Sequence, residues 1–367
     1  MSRGKLPSGV YIKHVPSVYS PEQVSRYLAR ISYPNPPSDP KEFHPTLENL
    51  EVLMQCHITT FAFENSVQHY SEHHTMPISP SYLYERMVKR AEGGHYCFGN
   101  NGLFAEMLKG LGYRTYTGAG RINVGPSLPA PPSFLAFVHK VIFVQPSQDD
   151  NTTYFLDASS GGSCMTRPIL LEDGEWVEGA TPSEWHGLVK SARGESSLAT
   201  SLKDEEAAKI EWRLLVKHVK SPDGNEIDTK LLYSFITDEF HTADYEFANY
   251  GVYTSTNDIF WRSIVGSRCF WLSPQEEKEM VDQLQNWRKL NSATNSVTLV
   301  KELPSQYLGR YSMEGRVVKR HTGPRTTIVC EMKSELDRRD ALQKFFGVVV
   351  REEDLHWVKG RPPAFNQ

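Results

Sequence analysis

Apolar positions along the first hundred residues recur at helical spacing, and the polar residues between them mark where each helix starts and stops. Ser20-Pro21-Glu22-Gln23 is a capping box with proline at the first helical position, and Val24, Tyr27, Leu28 and Ile31 follow at helical intervals. The proline-rich run from Pro34 to Pro40 closes that helix. Thr46 is placed to cap a second helix carrying Leu47, Leu50 and Met54, and Ser79-Pro80 to start a third with Leu83 and Met87 inward. A fourth opens at Cys97 and stops at Gly110-Leu111-Gly112, a C-terminal glycine pair.

From Tyr113 the period changes to that of strands. Residues 114–124 are rich in Thr, Tyr and Gly, and 137–144 and 153–157 predict a hairpin across a polar loop. Residues 212–219 and 231–235 predict another, flanking Ser221-Pro222-Asp223-Gly224-Asn225. The stretch from Pro182 to Glu206 is polar and weakly patterned, and reads as part of an exposed insertion at about 165–210 with some helix near its end. After Phe240 a helix is expected over 273–289, with short strands around 297–301, 316–319 and 326–332. A last helix opens at Ser334-Glu335-Leu336-Asp337. The fold class is α+β, in three parts: helical 1–112, strand-rich 113–240 and mixed 241–367.

Composition narrows the partners more than the chemistry. With 367 residues, 39% hydrophobic and 23% charged, the chain has the make-up of an ordinary globular protein large enough for a substantial core. A formal net charge of −4 gives no reason to expect nucleic acid or an anionic membrane. No apolar run approaches the roughly 18 residues that span a bilayer, and the opening Met1-Ser2-Arg3-Gly4-Lys5 lacks the apolar core of a signal peptide. Five widely spaced cysteines, Cys56, Cys97, Cys164, Cys269 and Cys330, fit neither a disulfide framework nor a paired metal site. A reducing cytoplasmic setting is expected, with Cys97 free as a thiol.

Cys97 is the candidate nucleophile. Gly93-Gly94 gives the backbone a sharp approach, and the cysteine then opens a helix whose N–H groups and dipole favour a thiolate and offer donors to an oxyanion. His139, inside the apolar strand at 137–144, and Asp157, at the end of the next strand, can complete a relay of base and orienter. Each has an ordinary explanation alone: core thiol, core imidazole, turn-forming carboxylate. Cys56-His57 lies in a helical pattern among apolar neighbours and reads as core. His73-His74 and His95 lack a second ligand pair at suitable spacing, so no metal is expected.

Several segments, in order, resemble the arylamine N-acetyltransferase family. Phe61-Ala62-Phe63-Glu64-Asn65 is similar to its Pro-Phe-Glu-Asn segment, and Arg90 to Cys97 with Asn101 to its Arg-Gly-Gly-x-Cys-x-x-x-Asn motif. Phe137-Val138-His139-Lys140-Val141 and Tyr154 to Asp157 resemble the strands carrying its histidine and aspartate. Asn249 to Asn257 resembles the segment beside its coenzyme A pocket, and Gly315 to Arg320 with Phe346-Gly347-Val348 its C-terminal portion, in the style of fungal members.

The resemblance implies an N-terminal helical bundle, a central β-barrel and a C-terminal α/β lid around a papain-like Cys-His-Asp site. It implies ping-pong transfer of an acetyl or other short acyl group, malonyl among them, from acyl-CoA to an arylamine or hydrazine. Cys97 would be nucleophile, His139 base and acid, and Asp157 orienter. Thr254, Ser255, Thr256, Gly161 and Gly162 would border acetyl-CoA, and Phe137 would stack on the acceptor ring. The chain departs from the family pattern in three places. Two residues, His95 and Tyr96, separate Gly-Gly from Cys97 instead of one. Gly99 replaces the usual Glu, Gln or His, and Ala158-Ser159-Ser160-Gly161-Gly162 replaces Val-Gly-x-Gly. A thiol hydrolase with the same three residues and a degenerate ligand-binding protein remain the alternatives.

Overall fold

Ser20 starts the first helix as its sequence requires. In α1 (Pro21–Arg30) the Ser20 hydroxyl accepts from Gln23 N, and the Gln23 side chain accepts from the Ser20 N–H at 2.9 Å. This computed structural model describes residues 3–126, 128, 130–193, 196–199, 201, 209–220, 226–283 and 303–365. Thr46 caps α2 (Leu47–Thr60) through Asn49 N. That helix is buried on most of its surface, His57 included, whose Nδ1 is bonded to the Tyr27 hydroxyl at 2.9 Å. β1 (Phe63–Glu64), α3 (Ser66–His69) and α4 (Pro80–Leu83) follow, the last running on as a π turn over Tyr84–Lys89. α5 (Cys97–Gly110) ends this part where the glycine pair predicts.

Eight antiparallel strands come next: β2 (Arg114–Asn123), β3 (Phe134–Gln145), β4 (Tyr154–Leu156), β5 (Ile169–Leu170), β6 (Trp176–Glu178), β7 (Glu184–Ala192), β8 (Ile210–Val219) and β9 (Ile227–Phe235). Their order is β5-β4-β3-β2-β9-β8-β7-β6. Backbone bonds of Gly174 and Glu175 to Leu188 bring the β5–β6 connection against β7, so the sheet curls into a nearly closed barrel. Phe143, Phe155 and Phe235 fill its interior, with Phe155 and Phe235 stacked at 4.2 Å. Both expected hairpins form, β3 with β4 and β8 with β9.

The region about 165–210 corrects the expectation of an exposed insertion. It contributes β5, β6 and β7, and β7 is hydrogen-bonded on both sides. The misreading has a physical cause. The buried positions of β7 include Glu184, His186 and Gly187, so the apolar alternation of a strand is missing. The Glu184 carboxylate is instead neutralised by Arg310, at 2.7 Å from its Nη2.

Beyond the barrel, α6 (Thr242–Thr254) and α7 (Ile259–Arg262) lead to β10 (Val265–Trp271), α8 (Pro274–Gln283), β11 (Leu308–Glu314), β12 (Val317–Thr322) and β13 (Arg325–Glu331). The expected helix over 273–289 is described as far as Gln283, and the strand expected at 297–301 lies outside the described residues. A five-stranded antiparallel sheet forms in the order β1-β10-β11-β12-β13, so the short segment Phe63–Glu64 ties the N-terminal part into the C-terminal sheet. Ser334 caps the last helix (Glu335–Ala341), whose Leu342 and Phe346 continuation packs on Met313 and Val318. No described helix is long and apolar enough to cross a membrane.

Candidate active site

The approach to Cys97 is set by backbone contact. A Cβ at Gly94 would lie 1.9 Å from the Ala62 carbonyl oxygen, so only glycine lets the strand Phe63–Glu64 and this loop meet. His95 N then donates to Ala62 O and to the Asn100 side chain at 2.9 Å, and Tyr96 is the extended N-cap of α5. Cys97 is therefore the first residue of its helix, where unpaired N–H groups converge.

Cys97 is 5% exposed, and its Sγ faces the Val138 carbonyl at 3.7 Å and the His139 ring. His139 Nε2 is 2.7 Å from Asp157 Oδ2, which leaves Nδ1 as the nitrogen for the thiol. Asp157 is fully buried and saturated: Oδ1 accepts from Asn101 Nδ2 at 2.8 Å and Ser159 N at 2.9 Å, and Oδ2 from the Tyr233 hydroxyl at 2.7 Å. Asn101 also donates to Lys140 O and accepts from Ala158 N, fixing α5 to the strands that carry histidine and aspartate.

Burial alone would strip the proton from His139. The Asp157 charge, the Cys97 sulfur and the hydrogen bonds to both overcome it, pushing the imidazole up to about 10. Burial would raise Asp157, but the His139 charge and the bonds from His139, Asn101 and Tyr233 hold it below the usual carboxylate range. Both directions favour an imidazolium–carboxylate pair, its ring facing a thiol at a helix N-terminus. Such an arrangement can stabilise a thiolate, and it can hand a proton to a departing group.

A family model described as N-acetyltransferase matches residues 46–271. The chain belongs to the arylamine N-acetyltransferase family. It is 24% identical over 312 residues to N-malonyltransferase FDB2 of Fusarium pseudograminearum, an alignment covering 83% of this chain and 79% of that protein. It is 27% identical over 220 residues to arylamine N-acetyltransferase of Mycolicibacterium smegmatis, covering 58% and 76%. The fold is that of Mycobacterium marinum arylamine N-acetyltransferase, with a TM-score of 0.63 over 91% of this chain and 98% of that one, at 22% identity. The same protein solved in complex with CoA gives a TM-score of 0.60 over 93% and 96%, at 21% identity.

Against that family pattern, two of the departures prove to be one packing event. A Cβ at Gly99 would stand 2.3 Å from His95 Cγ, so the His95 ring fills the space that a residue-99 side chain would need. Burial and the nearby Arg86 charge bring His95 down to about 3, so it packs as a neutral ring. Arg90, which opens the motif, is half exposed and pairs with Glu92. Arg86 is the buried arginine, 2.9 Å from Glu64, and that pair anchors the Phe-Glu-Asn segment under the loop.

The other sequence-predicted residues distribute unevenly. Cys97 sits in an aromatic cluster with Met76, Tyr96, Phe98, Tyr245 and Val252, bordered by Phe63, Phe240 and Phe260. Phe137 stands one layer out, 5.6 Å from Phe240. Gly161 lies against the Phe63 ring, and Phe63 against Phe260 at 5.8 Å, next to the turn that follows Thr254, Ser255 and Thr256. Thr254 and Thr256 are exposed, Thr254 directly following Val252 and Tyr253 of the cluster. Gly162 lines a separate cavity with Ser160 and Tyr233. Among the described residues, no three His, Cys, Asp or Glu side chains come together as metal ligands.

Two contributors were not singled out from sequence. Tyr233 bonds Asp157 and places its ring 4.6 Å from His139, yet it lies 76 residues from the aspartate on a strand with no local motif. Asn100 joins three segments, accepting from His95 N and donating to Ala62 O at 3.1 Å and Ser159 Oγ at 3.2 Å. Its place beside motif residue Asn101 was the available signal.

Proposed function

We propose that this N-acyltransferase works by a ping-pong mechanism through a Cys97 thioester, moving a short acyl group from acyl-CoA to an arylamine or hydrazine. The observation that carries the reading is the buried contact chain from Cys97 through His139 to Asp157 at the start of α5. In the first half-reaction the Cys97 thiolate attacks the thioester carbonyl. The carbon–sulfur bond to CoA breaks, and the departing thiolate takes the His139 proton. The Cys97 N–H at the helix start is the candidate oxyanion donor. In the second, the amine nitrogen attacks the Cys97 thioester, His139 takes the amine proton, and the thiolate returns.

The aromatic wall of Phe98, Phe240 and Tyr245 supports a flat apolar acceptor, with Phe137 behind Phe240. Donor choice is open to test between acetyl and malonyl, since relatives bearing both names align with the chain. The altered residues His95 and Gly99 pack against each other without displacing the relay, which favours an active enzyme over a degenerate binding protein.

The test is intact mass and peptide mapping after exposure to acetyl-, propionyl- or malonyl-CoA. An acyl adduct on Cys97, absent in Cys97→Ala and discharged by an added arylamine, is expected. An adduct discharged equally fast by water alone would make the protein a hydrolase, and turnover retained in Cys97→Ala would end the mechanism.

A further inference from the structure

Two residues separate Gly94 from Cys97, and packing against Gly99 accounts for His95 but not for Tyr96. Tyr96 is fully buried, directly before the nucleophile, as the N-cap residue of α5. Its side chain caps no N–H group of that helix. The hydroxyl donates instead to the Asn249 side-chain oxygen on α6. Asn249 is buried as well, and its Nδ2 donates to the Met76 carbonyl at 2.8 Å, which fixes the way the amide points.

A phenol and an amide buried among aromatic rings are costly unless each finds its partner. Burial also raises the Tyr96 hydroxyl well above its ordinary range, so it stays protonated and donates. On α6, Tyr245, Asn249 and Val252 stand at i, i+4 and i+7 and make up the buried face. Tyr245, one turn before Asn249, is pinned to β2, its hydroxyl donating to the Gly118 carbonyl at 2.9 Å. Gln68 holds the other end of the helix, donating to the Tyr253 carbonyl at 2.9 Å. Of these ties, the Tyr96–Asn249 bond is the one that runs to the element carrying the nucleophile.

The bond spans the two sides of the aromatic wall. Phe98, next to Cys97 on α5, meets Tyr245 of α6 edge to face, with centroids 6.0 Å apart. Tyr96 itself meets Phe98 at 5.7 Å and Phe260 at 5.1 Å, both edge to face. We propose that the Tyr96–Asn249 hydrogen bond sets the spacing between the start of α5 and α6, and so determines how a flat acceptor ring is received beside Cys97. Both are positioning residues, acting through Phe98 and Tyr245 and not on the reacting atoms. The assignment rests on the acyl-transfer reading above. An amine with no ring makes no use of that spacing, so the bond is a determinant of selectivity between arylamine and hydrazine.

The test isolates the second half-reaction on the full-length protein. Cys97 is loaded with acetyl from p-nitrophenyl acetate. Its discharge by aniline and by hydrazine is then followed by rapid-quench mass spectrometry in wild type, Tyr96→Phe, Asn249→Leu and the double variant. In Tyr96→Phe the aniline-to-hydrazine rate ratio is expected to fall about five- to tenfold, the size of one lost hydrogen bond. Stability separates positioning from packing. Asn249→Leu orphans both the Tyr96 hydroxyl and the Met76 carbonyl, whereas the double variant orphans only the carbonyl, so Tm should partly recover. The rate ratio is expected to stay low there, because the tie is still missing. A ratio that recovers with Tm, or one that never falls, overturns the proposal. Hydrogen exchange over Thr242–Thr254 needs no turnover: faster exchange in Tyr96→Phe supports the tie, and unchanged exchange overturns it. If the wild type is never acylated, the acyl-transfer reading fails by itself, and the exchange result then decides the tie alone.

Discussion

Two of the buried ion pairs in this molecule pose a contrast that turns on the cation. Asp157–His139 lies at the junction of α5 and the barrel; Glu184–Arg310 joins the barrel to the five-stranded sheet. Both carboxylates are buried and held below their usual range by a neighbouring cation, against the opposing effect of burial. At Glu184 the cation is a guanidinium with a permanent charge, and it is engaged on both sides, by the carboxylate and by a backbone carbonyl. At Asp157 the cation is an imidazole with one nitrogen on the carboxylate and the other on a thiol. One pair is a clamp and the other a device that can release a proton. The choice of histidine over arginine separates chemistry from architecture at equal burial.

Asp157→Asn should break the first pair most severely. The amide keeps the shape but removes the charge that orients and charges His139, and Cys97 acylation is expected to slow by roughly 10³–10⁴-fold, measured by rapid-quench mass spectrometry. A loss below about tenfold would mean the carboxylate does not govern the imidazole. Arg310→Met attacks the clamp instead. It leaves Glu184 buried without its cation, and urea denaturation should show about 3–5 kcal/mol of lost stability. An unchanged midpoint would show that water reaches Glu184 and that the pair is only ornamental to the fold.

Tyr233→Phe is a finer probe of the relay. It deletes one of the hydrogen bonds on Asp157 Oδ2 without touching the ring packing on His139. A fall of about five- to tenfold in acylation rate is expected from the loss of a single hydrogen bond, with thermal stability close to wild type. An equal loss in Tm and rate would recast Tyr233 as purely structural.

The relay also sets a pH dependence of stability. His139 is raised from 6.5 to about 10, so its contribution is fully present below pH 6.5 and is lost as pH rises through about 10. Asp157, lowered from 3.8, contributes above that value and loses its contribution as pH falls through its folded pKa. The relay therefore stabilises most between about pH 4 and 6.5. Tm measured at pH 6, 8 and 10 should decline more steeply in wild type than in Asp157→Asn, where the cause of the His139 shift is gone. Parallel slopes would show that His139 is not charged in the fold.

Much of this was legible before the structure, where chemistry is local. The Ser20 and Thr46 caps and the hairpins of β3 with β4 and β8 with β9 each announce themselves within a few positions, whereas Cys97, His139 and Asp157 stood out only in combination. β7 did not, because its buried residues are polar and find their partner 126 residues away at Arg310. Tyr233 escaped for the same reason, its partner being reached only through barrel closure. His95 and Gly99 looked like two defects in a motif; only packing shows a ring occupying the place of a missing side chain.

In the proposed mechanism His139 and Asp157 hold Cys97 reactive, while burial keeps Cys56, Cys164 and Cys269 protonated. Burial pushes Cys56 up to about 12 and also raises Cys164 and Cys269, and Cys330 is half-buried. The decisive measurement is the rate of iodoacetamide labelling at each cysteine by peptide mapping between pH 5 and 8, in wild type and in His139→Gln. The account predicts Cys97 labelled first, with that advantage lost in the variant. Labelling led by another cysteine, or an equally fast Cys97 without His139, would contradict it.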